Sequence, residues 1–276
     1  MGLFSKIFGG DRPPPRDVAS LVEPFCRPGV RLAPSSETTG SWLGGHPVVP
    51  AGFAWPRRGG TPLGFLAQID LEEVARACAF EWLPRSGSLV FFYDADDSPW
   101  GYDTAHSDAW RVERISGPGR ELPPPDDIAP ACIFPRRTVM AERVELPPDG
   151  LTPEVKSLAL SDRELDLLGE HQESLFDHGP EHHVGGFAYP VQFTPVELEC
   201  QLASHGLYSD DTPGFEDERA EALTPGASEW RLLLQLDSDP ELDMQWGEGG
   251  TLYFCVRAEE AHSGNFDGVW TILQCT

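Results

Sequence analysis

Two runs of alternating apolar and polar residues resemble each other across most of the chain. "GFLAQIDL" (Gly64 to Leu71) and "RLLLQLDS" (Arg231 to Ser238) each set a Gln and an Asp two positions apart inside an apolar stretch. A period of two predicts a strand in each run. Leu66, Gln68 and Asp70 then share one face and Phe65, Ala67 and Ile69 the other. In the second run Leu233, Gln235 and Asp237 oppose Leu232, Leu234 and Leu236. Further strands are expected at "GSLVFFYD", "AWRVERI", "GTLYFCVRA" and "GVWTILQC", all rich in β-branched and aromatic residues. Leu89, Phe91, Leu252 and Phe254 are the expected core positions of the aligned pair. "ACIFPRRTVMAERVEL" predicts one or two edge strands.

Helical spacing appears between the strands. "DVASLVEPF" suggests a short helix, and "DLEEVARACAFEW" carries an apolar stripe at Val74, Ala77 and Cys78. Ser161 and Glu164 form a capping box at the start of "SDRELDLLGEHQESL". In "TPVELECQLASHG", Thr194 is the expected cap, Pro195 the first helical residue, Glu197 the closing partner and Gly206 the stop. "SWLGGHPVVPAGFAWP" is too rich in Gly and Pro for a helix or central strand and predicts an ordered loop.

The resemblance extends beyond the two opening runs. "GSLVFFYD" from Gly87 aligns with "GTLYFCVR" from Gly250, and "AWRVERI" aligns with "VWTILQC", setting Trp110 on Trp270. "GGHPVVP" aligns with "GGFAYPV", pairing Gly44 and Gly45 with Gly185 and Gly186. Four blocks recurring in order predict two divergent copies of a strand-helix-strand-strand unit, at about 43–116 and 183–276. The expected fold class is α+β, β-rich, with mainly antiparallel sheets and the halves packed face to face or sharing a sheet. Residues 1–16, containing "DRPPPR", read as a flexible N-terminal segment, and 17–276 as a single domain. "YSDDTPGFEDERAEALTPGA" reads as an exposed acidic excursion.

Composition narrows the function classes. The 276 residues hold 45 acidic and 20 basic side chains, a net charge of −25. That repels nucleic acid and anionic membranes and favours a basic protein partner. No apolar run approaches the length of a membrane span. The six cysteines contain no CxxC pair and sit in apolar surroundings, which predicts reduced thiols and a cytoplasmic location.

"LGGHPVVPAGFAWPRRGGTPLGFLAQIDL", "LPRSGSLVFFYD", "HHVGGFAYPVQ" and "LLLQLDSD" followed by "WGEGGTLYF" together resemble the YwqG-like family of bacterial proteins, a domain of unknown function. The resemblance runs from about Leu43 to Cys275. It implies a β-rich α+β fold and a bacterial cytoplasmic setting, and brings no catalytic residues with it.

Candidate chemistry is sparse. His171, His178, His182 and His183 have zinc-binding potential, but Gly179 and Pro180 interrupt any helix that would align them. Asp237, Asp239, Glu241, Asp243 and Glu248 echo a calcium loop, yet Leu242 stands where the sharp turn needs Gly. Neither a structural metal nor a cofactor is expected. No GxSxG, HExxH or P-loop pattern occurs. Trp55, Trp100 and Trp246 are either groove walls or packing anchors. The candidate binding residues are therefore Gln68, Asp70, Gln235, Asp237, His183, Trp55 and Trp246. The two glutamines are expected to be buried and to bond backbone of the Gly44–Gly45 and Gly185–Gly186 loops; the competing role is ligand contact. The expected function is non-catalytic binding, with neutralisation of a basic toxin as one version. The alternative is a small-ligand or metal-ion binder, or an enzyme, using the crevice between the halves.

Overall fold

In a computed structural model, the structure describes residues 14–192, 194–207 and 217–276. Most of the expected N-terminal segment and the first part of the acidic excursion lie outside the described residues. The strands, in chain order, are β1 (Arg27–Pro34), β2 (Ser41–Leu43), β3 (Val48–Val49), β4 (Arg57–Arg58), β5 (Thr61–Pro62), β6 (Gly64–Asp70) and β7 (Ser88–Tyr93). They continue with β8 (Trp110–Ile115), β9 (Arg120–Glu121), β10 (Arg137–Leu146), β11 (His183–Gly185), β12 (Trp230–Asp237), β13 (Thr251–Arg257) and β14 (Trp270–Gln274).

Ten strands share one sheet, in the order β14-β13-β12-β11-β1-β10-β2-β6-β7-β8. Every pairing in it is antiparallel. The strands from the aligned sequence blocks sit at matching distances on either side of the β1–β10 pair. The sheet curls until its two ends approach. Phe91 on β7 meets Phe254 on β13 edge to face, with ring centroids 5.3 Å apart. Trp110 on β8 meets Trp270 on β14 at 5.3 Å. Their indole nitrogens donate to Val269 O and Gly101 O, both at 2.8 Å. β8 and β14 are not paired with each other, so the sheet is nearly closed rather than a complete barrel.

β10 is a correction to the sequence reading. Its ten residues form a central strand, not an edge, because it finds partners on both sides, β1 and β2. β1 was hidden by its prolines; Pro28 and Pro34 lie near or at its ends, where a missing donor is tolerated. The face assignment in β6 also changes. A bulge between Phe65 and Ala67 breaks the period of two, so Leu66 joins Ala67 and Ile69 in the main core instead of siding with Gln68. β12 has the same irregularity between Leu232 and Leu234.

The expected core positions Leu89, Phe91, Leu252 and Phe254 are buried, and so are Val90, Phe92, Tyr253 and Cys255 between them. These strands are covered on both faces. In one half, the loop carrying Val49, Phe53, Trp55 and Leu63 closes over Phe65, Val90 and Phe92. In the other, helix Val196–Ser204 packs on β12, β13 and β14. That helix starts one residue later than expected. Pro195 is extended and occupies the cap position, so Thr194 does not cap and Glu197 closes no box. Helix Leu71–Ala77 follows β6, capped by Asp70, whose Oδ1 accepts from the amides of Glu72 and Glu73 at 2.9 and 2.8 Å. After β12 the corresponding place holds only a short 3₁₀ turn, Pro240–Leu242, capped by Asp239.

Candidate functional site

The paired glutamines anchor loops to the sheet. Gln68 is 4% exposed and Gln235 1%. Gln68 Oε1 accepts from Val48 N at 2.8 Å, and its Nε2 donates to Val48 O at 3.3 Å. Gln235 Oε1 accepts from Tyr189 N at 2.9 Å. Val48 and Tyr189 each lie four residues after the first glycine of a left-handed pair, Gly44–Gly45 and Gly185–Gly186. Those pairs swing the chain off the main sheet, and there the glutamine oxygen takes the Val48 or Tyr189 amide. A Cβ on Gly44 would lie 2.1 Å from Pro135 O, so the position also demands glycine for space. Gln68→Leu and Gln235→Leu should each lower stability by about 1–3 kcal/mol, since each strands a buried amide. Denaturant titration without any ligand measures this; unchanged midpoints in both variants would refute it.

Asp237 is likewise engaged within the chain: its Oδ1 accepts from Ser238 N at 2.8 Å and Thr251 Oγ1 at 2.9 Å. Trp246 is buried against Tyr93 and Phe134 and donates to Asp237 O at 3.2 Å. Trp55 packs on Phe92 in the other apolar cluster and donates to Leu63 O at 2.8 Å. The two indoles do not share a groove. His183 is fully buried, and its ring nitrogens face Glu181 O and Phe187 O, both at 2.9 Å. Burial pulls its imidazole below the ordinary histidine range, against those two carbonyls, which favour a proton.

The neighbouring His182 is the histidine that lines a cavity, which sequence spacing alone did not single out. This cavity, about 490 Å³, opens at one end of the four central strands. Leu32, Ala33 and Phe176 supply apolar wall; Arg31, Arg137, His182, Asp239 and Glu241 supply the charged and polar wall. His182 Nδ1 accepts from Asp237 N at 3.1 Å, which places its proton on Nε2, 3.3 Å from Asp239 Oδ2. Asp239 also receives Arg137 Nη1 and, on Oδ1, Glu241 N. Arg137 reaches Glu241 with its second nitrogen. Burial by itself would raise the Asp239 carboxyl; the hydrogen bond and charge of His182 and the charge of Arg137 outweigh it and hold the group below its usual range.

Three members of the acidic calcium-like series are thus spent on protein donors: Asp237 and Asp239, buried or nearly so, and Glu241 on Arg137. No group of three or more His, Cys, Asp or Glu side chains suited to a metal ion occurs among the described residues. All six cysteines are free thiols.

A family model described as "Domain of unknown function (DUF1963)" matches residues 41–275. The chain belongs to this family. No curated protein matches the sequence. The DUF1963 match takes in Arg137, His182, Asp239 and Glu241 but begins after β1, so Arg31 and Leu32 of the same cavity lie outside it. No helix among the described residues is long and apolar enough to cross a membrane.

Proposed function

We propose that the protein is a non-catalytic binding protein and that the cavity beside Asp239 is its binding site. The closed Arg137–Asp239–His182 network carries this reading. Each member is matched within the chain, so the network holds the shape of a wall instead of waiting to move a proton. His182 has no lone pair left for a general base, because Nδ1 is occupied by the Asp237 amide.

The net charge of −25 favours a basic protein as the partner, a toxin among such partners, with encounter speeded by the acidic surface. Asp177 and Glu241 at the cavity rim are exposed but paired with Arg31 and Arg137, so a basic partner would compete with those arginines for them. The YwqG-like resemblance and the reduced thiols support a bacterial cytoplasmic setting. In this reading residues 17–276 form one domain of two pseudo-repeats. The matching strand order, the twin bulges and the twin glutamine anchors support the duplication. Gln68, Asp70, Gln235, Asp237 and His183 then act by positioning loops, and Trp55 and Trp246 by packing. A small ligand in the same cavity is the second reading, favoured by its apolar wall and its volume.

Gly179 offers a test, since its φ is ordinary and a Cβ there meets only Phe176 O, at 3.3 Å. Gly179→Trp should block the cavity mouth and leave the melting temperature near that of the parent. Calorimetry with lysine- and arginine-rich peptides, at low and at physiological salt, should show salt-sensitive binding that Gly179→Trp weakens by about tenfold or more. Absent binding, or equal binding by parent and variant, would remove this cavity as the site.

A further inference from the structure

A second cavity of about 490 Å³ opens at the opposite end of the same central strands. Its wall includes the start of β1 at Arg27, the Gly185–Gly186 turn and the start of β12 at Trp230 and Arg231. Phe80 and Trp82 form its aromatic side, and the Phe80 ring lies where a side chain on Gly185 would stand, 2.4 Å from the Cβ position. Most described arginines are clasped by carboxylates, as Arg58 is by Asp94, Asp97 and Asp108. Arg27 instead lies over the Phe187 ring, 4.0 Å from its centroid, with no ion pair among the described residues. Among the described residues, Arg231 donates only to the carbonyls of Ser228 and Trp230. Glu154 and Glu197, the two carboxylates of the wall, are also outside any ion pair among the described residues.

Glu197 is available because its helix starts late. With Pro195 at the cap, the carboxylate has no capping role and lines this cavity and a smaller adjoining one of about 120 Å³. Desolvation holds its carboxyl above the usual range; Asp149 adds to that, while Arg27 and Arg231 oppose it. Two guanidiniums and two carboxylates thus meet in one aromatic-walled space with a formal balance of charge.

We propose that this cavity binds a small zwitterion of the amino-acid class bearing an aromatic or large apolar side group. A simple anion would leave Glu197 and Glu154 facing like charge, and a simple cation would do the same to Arg27 and Arg231. A zwitterion meets both: its carboxylate takes the guanidinium fork, and its ammonium takes Glu197. Phe80 and Trp82 then cover the side group, in a volume within the about 300–1,000 Å³ typical of small-molecule sites. This site is separate from the cavity beside Asp239.

Calorimetry on the full chain with L-tryptophan and L-phenylalanine tests it, with indole-3-propionate lacking the ammonium and tryptamine lacking the carboxylate. At least one amino acid should bind, and the analogues should bind about tenfold or more weakly, because each strands a charge in the wall. Arg27→Met and Glu197→Gln should each cost a similar factor. Gly179→Trp should leave amino-acid binding unchanged, which keeps this result distinct from the fate of the Asp239 cavity. Failure of both amino acids to bind would overturn the proposal. So would equal binding of either analogue, or affinities untouched by Arg27→Met and Glu197→Gln.

Discussion

Phe91→Ala and Phe254→Ala should each destabilise the protein by about 3–5 kcal/mol, the cost of a cavity where a buried aromatic ring stood. Both rings are fully buried, and they touch edge to face across the core, from strands far apart in the sheet order. Each truncation therefore loses its own contacts and part of what holds the curled sheet together. Because the rings are direct neighbours, the double variant should fall short of the sum of the two single losses by about 0.5–1.5 kcal/mol. Met140→Ala, at a side chain 38% exposed on β10, is the control and should change stability by less than about 0.5 kcal/mol. Urea titration reads all four variants. Losses under about 1 kcal/mol at both phenylalanines, or strict additivity, would show that the two halves do not pack on one another through these rings.

The stability that Glu199 contributes should be lost as pH rises from about 5 to about 8, and Glu199→Gln should remove that dependence. Glu199 is fully buried on helix Val196–Ser204. Its Oε2 accepts from Gln274 Nε2 at 2.7 Å, while Oε1 has no partner among the described residues. Burial pushes its pKa from 4.5 up to about 8, with the Gln274 hydrogen bond opposing. Glu181, desolvated and beside Asp237, is pushed to about 7. A carboxyl raised on folding binds its proton more tightly in the native state. Its contribution is complete below the unfolded pKa of 4.5 and is lost as pH climbs through the folded value. Glutamine keeps the acceptor for Gln274 and cannot ionise. Near pH 5 the variant should match the parent within about 1 kcal/mol, and by pH 8 it should be more stable by up to about 4 kcal/mol. Glu181→Gln should remove a further part of the pH dependence. Parallel pH profiles for the parent and Glu199→Gln would show that Glu199 is ionised inside the fold.

What the residue order determined by itself was local. Periods of two marked β6, β7, β8, β12, β13 and β14, and capping chemistry marked the helix at Asp162–Ser174, because each depends on neighbours within a few residues. The resemblance between distant blocks was also legible, and with it the two glutamines as anchors for glycine-rich loops. Tertiary structure decided the rest. β1 and β10 carry weak strand signals and became the centre of the sheet only because each found partners on both sides. The bulges that turned Leu66 toward the core come from how β6 and β7 pair, and no periodicity in a single strand encodes them. Both cavities join residues scattered from Arg27 to Glu241. His182 and His183 are adjacent and both buried, yet His182 lines a cavity while both ring nitrogens of His183 face backbone carbonyls. Which arginines meet carboxylates, and which are left facing a pocket, follows from the crossing of distant strands. Charge pairing acts through space, and sequence separation sets no limit on it.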